Sequence, residues 1–169
     1  AEPYALMYMP KNLRNFIIGD LYKDYDISNC HPSLLAYLAE TCNLTVPYIN
    51  NYVNERSKFL SENQTTKEEM LVLMHTDKHN RSGLRKKSTG IKTLLEEVDN
   101  VQGYIWKIYS EEIPSEKYAS SKNPSSSLMT IVLDRFETIV SSAFIKSAGT
   151  EEVIWMFDGA MIPSNMNDI

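Results

Sequence analysis

Long apolar runs are missing from this chain: nothing approaches the roughly 18 consecutive apolar residues of a membrane-spanning helix. The N-terminal Ala1-Glu2-Pro3-Tyr4 also lacks the basic-then-apolar order of a secretory leader. Cysteine is scarce. Cys30 and Cys42 alone cannot frame a disulfide-stapled fold of 169 residues, so a reducing, intracellular setting is expected. In that setting the Asn-x-Ser/Thr sequons at Asn43, Asn63 and Asn80 read as chance. An excess of positive charge is absent too. The net charge of −5 argues against a protein that coats nucleic acid by bulk charge. No internal repeat is visible. No Met precedes Ala1, and a fragment or reduced version of a longer protein is expected.

What is present suits a globular core: 43% hydrophobic and 10% aromatic residues, enough for one domain over 1–169. Basic residues cluster locally. Lys78, Arg81, Arg85, Lys86, Lys87 and Lys92 follow one another with no acidic residue between. Two readings stand: a solvated loop and helix start, or a surface that contacts phosphates.

Periodicity predicts the elements. Leu21 to Asn29 alternates, with Leu21, Tyr25 and Ile27 on one side and Tyr22, Asp24, Asp26 and Ser28 on the other, as in a strand. Pro32 and Pro47 suit the first turns of helices reaching about Cys42 and Leu60, because a first-turn N–H has no helical partner to lose. Further helices are expected from Thr66 to His75 and from Thr89 to Ser110. After the serine-rich segment 120–127, Met129, Val132, Leu133, Phe136, Val140, Ala143 and Phe144 recur at helical spacing as one apolar stripe. Gly149 is a suitable C-cap. Val153 to Phe157 then reads as a buried strand, and Asp158-Gly159 before Ala160-Met161-Ile162 is a strong hairpin signal. The class is α+β, a small antiparallel sheet with several helices packed on one face.

Two acids have surroundings unlike ordinary surface charges. Asp26 ends a strand just before a helix, and Asp158 tips an apolar hairpin. Each has a plain alternative: Asp158 as turn chemistry, Asp26 as a partner for nearby backbone groups. Brought to one sheet end, the two carboxylates suit hard divalent cations. Two such ions about 4 Å apart can activate a hydroxyl and stabilise a leaving pyrophosphate.

The run Asp26-Ile27-Ser28-Asn29-Cys30-His31-Pro32-Ser33-Leu34-Leu35-Ala36-Tyr37-Leu38 resembles motif A of the family-A DNA polymerases. There the metal-binding Asp ends a palm strand and leads through Tyr-Ser-Gln-Ile-Glu-Leu-Arg into Val-Leu-Ala-His-Leu. The long helix followed by Trp155-Met156-Phe157-Asp158-Gly159 resembles the last palm helix and motif C of that family, usually Val-His-Asp-Glu. The variants Asn29-Cys30-His31-Pro32 and Phe157-Asp158-Gly159 are closer to transposon- and virus-encoded polymerases related to family A and to single-subunit RNA polymerases. The likeness spans Lys11 to Ile162.

The resemblance implies a palm-like fold, with a fingers-like helical insertion over 63–125, and a nucleotidyltransferase active in DNA replication. It implies two Mg²⁺ ions, with Mn²⁺ as the alternative, held by Asp26, Asp158 and Ile27. Primer-template and nucleoside triphosphates are the implied partners, with further domains or a partner chain completing the activity. Asn29, His31, Lys67 and His75 are the implied substrate-binding residues, and Arg81, Arg85, Lys86, Lys87 and Lys92 the implied nucleic-acid-binding ones.

The chain departs from the pattern at three places. His31 replaces a Glu that crowds the sugar 2′ position, Gly159 replaces an acid, and motif B is sparse. Lys67 with His75 fits motif B best; Arg56 and Lys58 compete for the lysine role. Lys11 and Arg14 read as phosphate contacts or plain surface charges, Asp24 as an accessory carboxylate or an exposed strand residue, and Glu137 as a solvated or paired surface charge. A rival zinc set of Cys30, His31, His75 and His79, the last two on one helix face, lacks any close Cys-x-x-Cys pair. Two other functions compete: a non-catalytic palm-like nucleic-acid-binding module, for which the aspartates are dispensable, and a metal-dependent nuclease, which needs no triphosphates. DNA and RNA remain equally open as template and product.

Overall fold

The computed structural model describes residues 8–81, 83, 87–150, 152–156 and 159–166. They fall into two compact units, Ala1–Cys30 with Phe136–Ile169, and His31–Arg135. The helical unit therefore begins earlier and ends later than the expected insertion over 63–125.

The sheet unit contains α1 (Lys11–Ile18), β1 (Tyr22–Asp26), β2 (Ile154–Trp155), β3 (Gly159–Pro163) and the last turns of α7 (Pro124–Ser147). The strand order is β1-β3-β2, antiparallel throughout. β3 is central and wholly buried, as its apolar sequence requires. Its register with β1 runs from Tyr22↔Pro163 to Asp26↔Gly159. Directly opposed residues share a sheet face, so Tyr25 and Ala160 lie together. On that face Ala148, Ala160 and Ile162 form a core joined by Tyr25, Phe144, Ile145 and Val153. The rings of Tyr25 and Phe144 stand 5.8 Å apart.

The expected continuous stripe along α7 is not observed. Met129, Val132 and Leu133 are buried within the helical unit, but in the sheet unit Val140 and Ala143 are exposed and Phe144 is half-buried. A three-stranded sheet with small residues such as Ala160 on its inner face offers little for a wide stripe to cover.

The helical unit holds α2 (Cys30–Thr41) from His31 onward, α3 (Pro47–Asn54), α4 (Arg56–Glu62), α5 (Lys67–Met74), α6 (Thr89–Tyr109) and α7 as far as Arg135. Ile91, Leu94, Leu95, Val98, Val101 and Ile105 form the buried stripe of α6 at the spacing of one helix face. Its N-terminus is capped by the Ser88 hydroxyl, which accepts from the Ile91 N–H. The helix expected to run from Thr45 to Leu60 is instead two, broken at Glu55 (φ −128°). The break brings the Tyr52 and Phe59 rings edge to face at 5.5 Å. Seven residues apart on a straight helix, they would be separated by about 10 Å along the axis.

Gly159 opposes Asp26, and a Cβ there would collide with the Tyr25 carbonyl oxygen and lie 3.1 Å from the Asp26 Cα. Gly159→Ala is therefore expected to lower the unfolding free energy by about 1–3 kcal/mol, as overpacking does, read from the urea midpoint at unchanged slope.

Candidate functional site

Asp26 is the exposed last residue of β1, and Ile27 follows it half-buried. Asn29 then adopts the left-handed conformation, φ 54°, which Asn tolerates better than most residues; this residue turns the chain from β1 into α2. Phe157 and Asp158 lie outside the described residues. On either side of them the Met156 N–H donates to the Gly159 carbonyl at 3.1 Å. β2 and β3 thus pair as a hairpin, but β2 spans only Ile154–Trp155 and Trp155 is 44% exposed, unlike the buried strand expected from Val153 to Phe157. The Asp26↔Gly159 register sets β1 beside β3.

Asp24 is not the exposed strand residue expected. Its side chain is 11% exposed, with Arg14 Nη2 at 3.1 Å and Lys11 Nζ at 3.2 Å. Nor is Arg14 a surface charge: it is buried on α1, against Asp24. Arg14 is thus committed to this carboxylate, while Lys11 reaches it from an exposed position.

In the helical unit the structure brings together His31 and His75, 44 positions apart. His31 Nδ1 is 3.4 Å from His75 Nε2, and the rings are tilted by 48°. Their other nitrogens face acceptors. His75 Nδ1 is 3.1 Å from Thr130 Oγ1, and His31 Nε2 is 3.4 Å from an Asp134 carboxylate oxygen. Thr130 gives its single hydroxyl proton to the Ser126 carbonyl at 2.9 Å, so toward His75 it is the acceptor. His75 therefore carries its proton on Nδ1 when neutral. Burial, reinforced by the nearby His31, holds the His75 pKa below its ordinary value; Asp134 opposes the shift. Thr130 and Asp134, one turn apart on α7, are site residues that sequence reasoning missed; their helical spacing was the available signal.

Lys67 is not gathered with this pair. It is the exposed first residue of α5, eight residues and so about 12 Å of helix from His75. Lys58 pairs with Glu55 at 2.8 Å, and Arg56 is half-buried. The zinc set also fails at its helix: α5 ends at Met74, and His79 lies exposed on a short 3₁₀ turn, Lys78–Asn80. Between them Asp77 accepts from the Ser126 N–H at 2.7 Å, which holds the chain off a helical path. In the sheet unit the Cys30 thiol donates to Glu137 Oε2 at 3.6 Å, so Glu137 is a paired acid.

In the basic stretch Lys78 is exposed, whereas Arg81 and Lys87 are paired with acids. Arg81 is a correction: its side chain is 1% exposed, with Asp99 oxygens at 2.8 and 2.9 Å, and its Nε donates to the Leu73 carbonyl at 2.9 Å. Burying a guanidinium requires such a partner, and none was visible within the run itself. Lys87 likewise pairs with Glu69. Lys92 is half-buried on α6, and Arg85 and Lys86 lie outside the described residues. No helix among the described residues is long and apolar enough to cross a membrane.

Two outcomes follow. Arg81→Ala would strand Asp99 and is expected to cost about 3–5 kcal/mol of stability in urea unfolding. For His75, a folded pKa below the unfolded 6.5 means that the unfolded chain binds the proton more readily. Stability thus rises with pH up to about 6.5 and then levels. His75→Gln should remove that part of the slope in urea midpoints taken from about pH 5 to about pH 7.5.

No family model, curated protein or solved structure matches this chain.

Proposed function

We propose that this chain performs template-directed nucleotide addition, with Asp26 and Asp158 as its metal-binding pair. The observation that carries the reading is the register Asp26↔Gly159. It sets the acid of the motif A-like strand against the residue that immediately follows Asp158 in the chain. The donors are all oxygen: two carboxylates and the Ile27 carbonyl, a set suited to Mg²⁺ or Mn²⁺. When bound, two such ions supply charge neutralisation at the triphosphate and ease ionisation of a primer 3′ hydroxyl.

The protein's part is positioning. Asp26 is exposed at its strand end, while Asp24 two residues earlier is neutralised by Arg14 and Lys11. Gly159, where the family has an acid, leaves the β1 backbone room to approach. Within the helical unit, the meeting of His31 and His75 supports their assignment to the motif A and motif B positions.

The binding-module alternative loses support because two residues of its basic stretch, Arg81 and Lys87, are occupied by Asp99 and Glu69. Asp26→Asn and Asp158→Asn should each reduce Mg²⁺-dependent primer extension by at least about a thousandfold, since each removes a charge worth several kcal/mol in such a site. Circular dichroism and thermal melting should stay unchanged. Extension retained by either folded variant overturns the reading, and nucleotide release from a labelled strand without triphosphates replaces it with the nuclease.

A further inference from the structure

We propose that His31 and His75 form a binding site for a borderline transition-metal cation, with Zn²⁺ the best fit. This ion would be distinct from the Mg²⁺ ions proposed for Asp26 and Asp158.

Thr130 spends its only hydroxyl proton on the Ser126 carbonyl and must accept from His75 Nδ1. That leaves a lone pair on His75 Nε2, the nitrogen that faces His31. On the other ring, the Asp134 carboxylate lies at Nε2 and favours the tautomer protonated there. That tautomer turns a lone pair from His31 Nδ1 toward His75. The two nitrogens stand 3.4 Å apart, a gap that a cation can occupy. A proton satisfies it, and so does a metal.

The dimensions fit the metal. Zn–N bonds of about 2.0–2.1 Å at a tetrahedral angle place two ligating nitrogens about 3.3–3.4 Å apart. Each ring also has the outer partner that metal-ligating histidines use to fix tautomer and orientation, a carboxylate for His31 and a hydroxyl for His75. Imidazole nitrogen selects Zn²⁺, Co²⁺ or Ni²⁺ over Mg²⁺, which prefers oxygen. Water would complete the coordination sphere, as in open zinc sites. A bound ion would tie the first turn of α2 to the C-cap of α5, within the helical unit.

The test is isothermal titration of the tag-free, EDTA-treated chain with Zn²⁺ in a large excess of Mg²⁺, alongside Co²⁺ absorption spectra. One saturable equivalent and a visible Co²⁺ band of low symmetry are expected. His31→Ala and His75→Ala should each abolish saturation. Thr130→Val, which keeps side-chain volume but removes the acceptor, should weaken binding about 10–100-fold, as loss of an outer partner does. Asp26→Asn should bind Zn²⁺ like the parent chain, which separates this site from the proposed catalytic one. Absence of saturable binding, or unchanged affinity in His75→Ala, overturns the assignment. If the alanine variants do not fold, Thr130→Val decides alone: weakening supports the site and unchanged affinity refutes it.

Discussion

Asp26 owes its position to a contact between two main chains with no side chain between them. At Gly159 the central strand lies so close to β1 that a Cβ would strike the Tyr25 carbonyl. This approach fixes more than one pair of residues. Side chains alternate along a strand, so a slip of one residue would exchange the two faces of β1. Tyr25 would leave Phe144, Ala160 and Ile162, and Asp24 would leave Arg14 and Lys11. Both the apolar cluster on one face and the charge cluster on the other depend on the same register.

In the helical unit a comparable role falls to two acids of α6. Glu97 is buried and accepts from the Tyr48 and Ile49 N–H groups at 3.1 and 2.9 Å. Those are first-turn donors of α3, whose N-cap residue Val46 offers no side-chain cap. Asp99 holds Arg81, which in turn caps the Leu73 carbonyl near the end of α5. One helix thus serves the N-terminus of a neighbour directly and the C-terminus of another through an arginine. Helix ends leave such groups without intrahelical partners. Burying charge is costly unless it is compensated, and here the compensation doubles as capping.

Local signals in the sequence located most elements. Pro32 and Pro47 marked helix starts, Ser88 and Thr66 cap α6 and α5, and Asp158-Gly159 marked the turn before β3. These devices act over a few residues, so the chain displays them. What escaped were partnerships at long range. Arg81 finds Asp99 eighteen positions away, and in the sequence it looks like any member of a basic run. The break at Glu55 was hidden because it depends on the two rings meeting, and no proline or glycine announces it. Of the candidate site, the strand-end place of Asp26 was legible from alternation and the following helix. The meeting of His31 and His75 was not, since no periodicity links residues on different helices; only the family resemblance and the rival zinc set put them in one group.

The two acids of β1 show how similar patterns part company. Asp24 and Asp26 share a strand face by alternation, and nothing in the sequence shows that one of them is paired with Arg14 and Lys11. The difference comes from α1. That helix is eight residues long, too short to be stable alone, and it is turned against the usual rule. Arg14 is buried, while Phe16 is 88% exposed and Leu13 and Ile17 are half-exposed or more. Apolar burial does not hold it in place; the pairing of Arg14 and Lys11 with Asp24 does. Asp24 is therefore consumed in anchoring a helix, and its charge is neutralised where it stands. Asp26, one pleat further on and against a glycine, is exposed. Asp24 is anchored by cations ten and thirteen residues upstream that fold back onto it, a partnership that only the tertiary structure decides.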